Sequence, residues 1–122
     1  MKGPVLVVDD EPDSRMMLAT LLECAGFAVT TACDGRDALA QSHRQRPCVI
    51  VLDLMMPRMT GEEFREVQRN DPEICDIPIV VVSAKHDASE TARRMNAAAF
   101  SPKPLDADLL IDAVTHCCAD AP

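Results

Sequence analysis

The chain contains no Trp and no Tyr, and its only aromatic side chains are Phe27, Phe64 and Phe100. A core with so few rings must be filled by aliphatic side chains, Ala and Met. Only four Gly occur, and they form neither a G-x-G-x-x-G pattern nor a phosphate-cradling loop. A nucleotide- or flavin-binding domain is therefore the least favoured function. No apolar run approaches the roughly 18 residues that span a bilayer, so we expect no membrane insertion.

Cationic side chains are also scarce, since 12 Lys and Arg stand against 20 Asp and Glu, for a formal net charge of -8. Nucleic-acid phosphates would be repelled at most approaches, so we expect no direct nucleic-acid binding. The chain leads straight into a short strand-like run, and we expect a cytoplasmic protein without a signal peptide. Its 122 residues predict a single domain over 1–122, with a core from about 4 to 118 and a short tail over 119–122.

The six cysteines contain no C-x-x-C pair, and their neighbours in sequence are largely apolar. This pattern favours reduced thiols that act as small apolar side chains, rather than a disulfide or zinc framework. The six are Cys24, Cys33, Cys48, Cys75, Cys117 and Cys118. We therefore expect six thiols in a cytosolic protein.

Five stretches are β-prone, and three of them are apolar without alternation. Unbroken apolar runs predict strands buried on both faces, as in a parallel sheet covered by helices. The predicted strands are 4–8, 27–31, 49–53, 77–82 and 97–101.

Helical patterns follow each of these stretches, at 13–25, 36–45, 61–70, 88–95 and from 106 onward. Gly26 and Asn96 are expected to end the first and fourth helices, because both tolerate the left-handed conformation common at helix termini. Asp106 is expected to cap the last helix, and Phe64 and Val67 to be buried in the third. The fivefold alternation of strand and helix predicts one doubly wound α/β domain with a parallel sheet.

Polar side chains with the potential for chemistry follow four of the predicted strands. Asp9 and Asp10 follow the first strand, Asp53 ends the third, Ser83 follows the fourth, and Lys103 comes just past the fifth. In open parallel sheets, ligands bind outside the carboxyl ends of the strands. We therefore expect these five residues to lie at one edge of the sheet.

Carboxylates brought this close repel one another by on the order of 4 kcal/mol per pair at an effective dielectric of about 20. A hard divalent cation with oxygen ligands would compensate this charge, which predicts a Mg²⁺ site, with Mn²⁺ as the alternative. Metal and Lys103 would neutralise a phosphoryl group while a carboxylate attacks phosphorus. Asp53 is the candidate nucleophile, because the adjacent Asp9 and Asp10 can share the metal.

These motifs, in this order and spacing, resemble the receiver domain of two-component response regulators over essentially the whole chain. They are Asp9-Asp10, the run 52–57 with Gly61 eight residues beyond Asp53, Val82-Ser83-Ala84, and Phe100 three residues before Lys103-Pro104. The resemblance implies a flavodoxin-like (βα)5 fold with a five-stranded parallel sheet in the order 2-1-3-4-5.

The resemblance also implies roles for the acids and the lysine. Asp53 would accept a phosphoryl group from the phosphohistidine of a sensor histidine kinase or a histidine phosphotransfer protein. Asp10, Asp53 and the backbone carbonyl of Met55 would bind Mg²⁺, and Asp9 would act through bound water. Lys103 would pair with the Asp53 carboxylate and then with the phosphate.

Two further residues would act as a switch. Ser83 would close onto a phosphate oxygen and Phe100 would turn inward, altering the surface of the fourth helix, fifth strand and fifth helix. A downstream protein target or an appended output domain would read that surface, and phosphorylation could also support a homodimer. The Lys103-Pro104 bond resembles the family's cis peptide. Pro102, which has no backbone N–H, fits an edge strand and would stiffen the segment that moves.

Other interpretations remain open beside this one. A metal-dependent phosphohydrolase is disfavoured because Met55, two residues after Asp53, supplies no second acid. We expect no enzyme activity beyond the chain's own Mg²⁺-dependent phosphorylation and dephosphorylation. A degenerate receiver that acts as a protein-interaction module is the alternative, against which the complete acidic set argues.

Less specific interpretations exist for individual residues as well. Ser83 could cap the following helix, and Phe100 could be an ordinary core residue. Five methionines could form a soft docking surface near the site or fill gaps in the core. They are Met16, Met17, Met55, Met56 and Met59.

Overall fold

Strand and helix alternate five times along the chain in the computed structural model, which describes residues 3–103 and 105–119. The strands are β1 (Val5–Val8), β2 (Val29–Ala32), β3 (Val49–Asp53), β4 (Ile79–Ser83) and β5 (Ala99–Pro102). The helices are α1 (Pro12–Cys24), α2 (Gly35–Arg44), α3 (Gly61–Arg69), α4 (Ala88–Arg94) and α5 (Ala107–Ala119). Each element lies within about two residues of its predicted position.

All strand pairs are parallel, and the sheet order is β2-β1-β3-β4-β5. The predicted doubly wound fold and strand order are confirmed. Val8 pairs with Leu52, Asp53 with Val82, and Ser83 with Pro102, so the carboxyl ends of neighbouring strands lie nearly level. The strand order reverses between β1 and β3, where ligands bind in open sheets of this type.

The sheet is covered on both faces, as the unbroken apolar runs predicted. One face packs against α1 and α5 through Leu22 and Val114, and the other against α2, α3 and α4 through Phe64 and Ala92. Of the three Phe, all in the described part of the chain, Phe64 alone is fully buried. The core is therefore largely aliphatic, in agreement with the composition. Within the described residues, no helix has the length and apolar character needed to cross a bilayer.

Helix ends follow the local signals in the sequence. Gly26 and Asn96 have φ angles of 101° and 58°, so both adopt the left-handed conformation expected after α1 and α4. The Asp106 Oδ1 atom accepts a hydrogen bond from the Leu109 N–H at 3.1 Å, which confirms the predicted cap of α5. Thr60 and Glu63 form a reciprocal capping box at the start of α3.

The buried face of α3 differs from the prediction. Val67 is 42% exposed, whereas Arg65 and Gln68 are buried together with Phe64. The expectation of a buried Val67 was wrong because side-chain hydropathy alone suggested the orientation of the helix. Residues 61, 64, 65 and 68 form the stripe at helical spacing that faces the core.

Backbone carbonyls make the burial of these two polar side chains tolerable. Arg65 donates from Nε to the Met95 carbonyl at 2.9 Å and from a terminal nitrogen to Gln68 Oε1 at 2.8 Å. The Gln68 amide donates to the carbonyls of Ile74 and Ile77 at 2.8 and 3.0 Å. Buried polar groups with such partners avoid most of the desolvation penalty. The network connects α3 to the end of α4 and to the loop before β4.

A disulfide bond joins Cys48 and Cys118, whose Cα atoms are 5.1 Å apart. Cys48 directly precedes β3 and Cys118 lies near the end of α5, so the packing of α5 on the sheet brings together residues 70 positions apart. The expectation of six thiols is wrong for this pair, because a pairing of that separation leaves no mark on local sequence. Three other cysteines, Cys24, Cys33 and Cys75, are exposed rather than packed in apolar surroundings.

Reduction of this disulfide is expected to lower the free energy of unfolding by about 2–4 kcal/mol, because the bond restricts a long loop in the unfolded chain. Urea unfolding followed by circular dichroism, with and without dithiothreitol, measures the difference. A Cys48→Ser/Cys118→Ser double variant should show no response to dithiothreitol, and a Cys24→Ser variant should respond like the wild type. Alkylation of all six cysteines in denatured, non-reduced protein would contradict the pairing.

Candidate functional site

Three carboxylates converge at the carboxyl ends of β1 and β3. Asp9 and Asp10 directly follow β1, and Asp53 is the last residue of β3. Because these strands are neighbours whose ends are level, carboxylate oxygens of all three residues lie within 4.8 Å of one another. Asp9 and Asp53 are buried, whereas Asp10 is exposed.

Asp9 is fully buried, and the first turn of α1 surrounds its carboxylate with hydrogen-bond donors. Its Oδ1 atom accepts from the Glu11 N–H at 3.0 Å, and its Oδ2 atom accepts from the Ser14 hydroxyl at 2.6 Å. The Asp9 carbonyl accepts a further bond from the Arg15 guanidinium at 2.8 Å. Pro12 at the first position of α1 fixes the turn that places these donors.

Asp53 is 8% exposed, and its two oxygens have different surroundings. Oδ1 accepts from the Met55 N–H at 3.1 Å, and Oδ2 lies 3.5 Å from Lys103 Nζ. Burial raises the pKa of Asp53, and the negative charge of Asp9 adds to that effect, while the Met55 N–H and Lys103 oppose it. Ionisation of Asp53 is therefore less favourable than that of a solvated aspartate, and further positive charge would offset the difference.

Lys103 is shared between the two buried carboxylates. Its ammonium lies 3.5 Å from Asp9 Oδ2, 3.5 Å from Asp53 Oδ2 and 3.3 Å from the Ser14 hydroxyl oxygen. The Lys103 backbone N–H donates to the Ser83 carbonyl at 3.1 Å, which fixes the chain where it leaves β5. One ammonium among three carboxylates leaves an excess of negative charge at this edge of the sheet.

The donor set fits a hard divalent cation. Oxygen ligands from two buried acids and one exposed acid, together with open solvent on the Asp10 side, suit an ion such as Mg²⁺ that keeps several waters. Met55 donates its backbone N–H to Asp53 Oδ1 at 3.1 Å, so its backbone lies beside the same carboxylate.

The start of α3 packs tightly on the end of β3. The Gly61 N–H donates to the Leu54 carbonyl at 3.1 Å, and a Cβ atom at Gly61 would lie 3.0 Å from the Asp53 carbonyl oxygen. A larger residue at position 61 would therefore displace the backbone that carries Asp53. This close approach explains the glycine eight residues beyond Asp53.

Ser83 ends β4 and is buried, and its hydroxyl oxygen accepts from the Lys85 N–H at 3.2 Å. The alternative in which Ser83 caps the next helix is wrong, because α4 begins at Ala88 and Asp87 occupies the capping position. Ser83 is instead held at the end of β4, the strand that pairs with the one ending in Asp53, and its hydroxyl proton can be donated elsewhere.

Phe100 lies on β5, is partly buried, and packs against the core cluster that contains Ala88 and Met95. Pro102 ends β5, which is an edge strand, so its missing N–H removes no ladder hydrogen bond on the open side. Pro104, the candidate cis-proline, lies outside the described residues.

The five methionines were expected either to form a docking surface or to fill gaps in the core, and both kinds of position occur. Met16, Met17 and Met55 are 69%, 52% and 60% exposed, whereas Met56 is buried in the core. Met59 is partly buried and packs against the same core cluster. Met55 lines the same cleft as Asp10, whereas Met16 and Met17 line a separate groove on α1 with Thr20. The other two fill gaps in the core.

Two residues at this site had no role in the sequence-based prediction. Ser14 and Arg15 contact Asp9, yet neither belongs to the motifs that identified the site. The available signal was indirect: Pro12 marks the start of α1, so the residues of its first turn face the end of β1.

A second group of titratable side chains lies away from this edge. The two ring nitrogens of His43 lie 2.6 Å from Asp71 Oδ2 and 3.1 Å from Glu73 Oε2. Each nitrogen faces its own carboxylate, so these contacts connect the end of α2 to the loop after α3.

Comparison with known proteins agrees with this geometry. The model of the response regulator receiver domain family matches residues 5–115. A probable transcriptional regulator ycf27 of Guillardia theta is 37% identical over 113 residues, which cover 87% of this chain and 43% of that protein. The chain thus spans less than half the length of this relative. Protein PilH of Pseudomonas aeruginosa is 29% identical over 112 residues, which cover 90% of this chain and 93% of PilH.

Solved structures give the same result. The chemotaxis protein CheY4 of Vibrio cholerae superposes with a TM-score of 0.84 and 31% identity, covering 95% of this chain and 98% of that chain. The receiver domain of Francisella response regulator 1452 superposes with a TM-score of 0.86 and 27% identity, covering 98% and 99%. The family match, the sheet order and the acidic cluster agree with the resemblance found in the sequence, and this chain belongs to the family of response regulator receiver domains of two-component signalling.

Proposed function

We propose that Asp53 accepts a phosphoryl group from the phosphohistidine of a sensor histidine kinase or a histidine phosphotransfer protein, in a reaction that requires Mg²⁺. The observation that carries this proposal is the position of the Asp53 carboxylate. It lies at the end of the central strand, within 4.8 Å of the carboxylates of Asp9 and Asp10 and 3.5 Å from the Lys103 ammonium.

In the transfer, an Asp53 oxygen forms a bond to phosphorus while the bond between phosphorus and the donor's imidazole nitrogen breaks. The electron pair leaves with the imidazole. Asp10 and Asp53 would hold Mg²⁺ together with the Met55 carbonyl, and Asp9 would act through water. The bound ion supplies positive charge to the phosphoryl oxygens. Mn²⁺ has the same preference for oxygen ligands and can replace it.

Two side chains are placed to stabilise the product. The Lys103 ammonium, 3.5 Å from Asp53 Oδ2, would pair with one phosphoryl oxygen. The Ser83 hydroxyl would donate to another, because its bond from the Lys85 N–H uses an oxygen lone pair and leaves the proton free. Phosphorylation thus replaces one carboxylate with a group that both residues can contact.

The readout would be a change in the surface formed by α4, β5 and α5. Phe100 is only partly buried, so an inward turn would increase its burial behind Ser83. A downstream protein or an appended output domain would read the altered surface, and it could also support a homodimer. The chain catalyses no reaction beyond its own phosphorylation and dephosphorylation, because Met55 supplies no second acid.

Acetyl phosphate with Mg²⁺ is expected to add one phosphate to the wild-type protein, because the carboxylate and its cations are assembled without the kinase. Asp53→Asn or chelation of the metal should abolish the addition, whereas Asp112→Asn on the exposed side of α5 should not. Intact-mass measurement at short times decides the outcome. Equal labelling of the Asp53→Asn variant would refute the assignment.

The raised pKa of Asp53 gives an expectation for stability. Because the folded-state pKa lies above the unfolded value, the stability contribution of Asp53 is fully present below the unfolded pKa of 3.8 and is lost as the pH rises through the folded pKa. At pH 7 without metal, Asp53→Asn should therefore unfold at a higher urea concentration than the wild type. The difference should shrink as the pH falls toward that unfolded value.

Saturating Mg²⁺ should stabilise the wild type, by about 2.7 kcal/mol at 100 times the dissociation constant, and should have little effect on Asp53→Asn. Urea unfolding at pH 7, with and without the ion, makes the comparison. If the wild type were instead more stable than Asp53→Asn in metal-free buffer at pH 7, this result would contradict the raised pKa of Asp53.

Lys103→Ala is expected to retain some phosphorylation but to lose the coupling to α5, because the ammonium joins the phosphoryl group to the chain that leaves β5. Amide chemical shifts of α5 upon addition of beryllofluoride with Mg²⁺ measure this coupling, with Asp53→Asn as the unresponsive control. Shifts of wild-type size in Lys103→Ala would show that the coupling takes another route.

A further inference from the structure

The Ser14 hydroxyl is the point at which the buried carboxylate of Asp9 and the ammonium of Lys103 meet. It donates to Asp9 Oδ2 at 2.6 Å, and Lys103 Nζ donates to its oxygen at 3.3 Å. Ser14 lies in the first turn of α1, whereas Lys103 follows the edge strand β5. The hydroxyl thus joins the helix that follows β1 to the segment after β5, and in the sheet β1 and β5 lie on opposite sides of β3 and β4.

The direction of these two bonds follows from the chemistry of the groups. An ammonium can only donate and an ionised carboxylate can only accept, so the single Ser14 proton points to Asp9 and an oxygen lone pair faces Lys103. Ser14 Oγ is the nearest of the three oxygens that surround the ammonium in the described residues, since Asp9 Oδ2 and Asp53 Oδ2 both lie at 3.5 Å.

Lys103 needs such an anchor more than most residues do. Its side chain has four rotatable bonds, and fixing it costs rotamer entropy. Contacts of 3.5 Å are longer than the roughly 2.7–2.9 Å of strong ammonium–carboxylate hydrogen bonds. The two carboxylates lie at equal distances and do not by themselves hold the ammonium between them, and the Ser14 hydroxyl, at 3.3 Å on a helix turn, is its third partner.

Ser14 also determines how strongly Asp9 attracts the lysine. Asp9 is fully buried, and the 2.6 Å bond from Ser14 is the shortest bond to Oδ2. Without the hydroxyl, this oxygen would have the ammonium as its remaining partner among the described residues, and a buried, underpaired carboxylate attracts a cation strongly. Lys103 would then move toward Asp9 and away from Asp53.

We propose that Ser14 is a positioning residue, which holds the Lys103 ammonium between Asp9 and Asp53 so that its charge is available to a phosphoryl group on Asp53. The functional part of this inference rests on the proposed function of Asp53. The positional part concerns the metal-free protein and can be tested separately.

The positional test uses nuclear magnetic resonance of protein labelled with ¹³C-lysine, without metal or phosphodonor. The chain has three lysines, so the Lys103 side-chain signals can be assigned by their loss in Lys103→Met. An anchored side chain should show two separate ε-methylene proton resonances for Lys103. In Ser14→Ala both resonances should move from their wild-type positions as the ammonium shifts toward Asp9, and in Ser14→Thr they should stay near those positions, because the hydroxyl is kept.

The functional test measures the rate of Asp53 phosphorylation by acetyl phosphate at saturating Mg²⁺. Ser14→Ala should slow the reaction about fivefold, the equivalent of one hydrogen bond of about 1 kcal/mol. Ser14→Thr should stay within about twofold of the wild type on the same scale. Thr20→Ala, which removes an exposed hydroxyl from the same helix, should leave the rate unchanged.

A double-mutant cycle separates positioning from a general loss of structure. If Ser14 acts through Lys103, Ser14→Ala should have little further effect in a Lys103→Met background. An equal loss of rate in both backgrounds, or unchanged Lys103 resonances in Ser14→Ala, overturns the inference. A wild-type protein that shows the anchored lysine but accepts no phosphate would instead refute the proposed function of Asp53 and leave the position of Lys103 established.

Discussion

The repulsion among three carboxylates at the ends of two neighbouring strands is the interaction on which this structure depends. Level strand ends bring Asp9, Asp10 and Asp53 together, and burial of two of them removes most of the water that would screen their charges. Backbone N–H groups, one serine hydroxyl and one lysine offset part of this charge. The remainder is negative potential directed at the solvent side of the site, which a bound cation would offset.

The rest of the domain holds these charges in place. Aliphatic side chains pack on both faces of β1, β3 and β4, so the strand that ends in Asp53 cannot recede from its neighbours. The buried network of Arg65 and Gln68 fixes the end of α4, and the close approach of Gly61 fixes the start of α3. Two polar side chains inside an apolar layer are stable there because backbone carbonyls at helix and loop ends need donors.

Sequence alone predicted what depends on local pattern. Unbroken apolar runs identified β1, β3 and β4, and the polar residues at their ends identified the site edge, because parallel strands end at the same side. The failures share a different cause. Val67 was assigned by its hydropathy, although Gln68 fits the helical spacing from Phe64 equally well. The bond between Cys48 and Cys118 depends on how α5 packs across β3. Ser14 belongs to no motif, and its contacts with Asp9 and Lys103 appear only when α1 and the segment after β5 are placed together in space.

The disulfide has a mechanical consequence for the proposed readout. It fastens α5 near its last turn to the residue before β3, at the opposite end of the strand from Asp53. The first turn of α5 follows closely after Lys103 and carries the 46% exposed Leu109. Because the disulfide holds the last turn of α5, the helix would move mainly at its first turn. Any displacement that starts at Lys103 would be smallest at Cys118 and largest near Leu109. A partner that distinguishes the two states would therefore detect the largest change by contacting the first turn of α5.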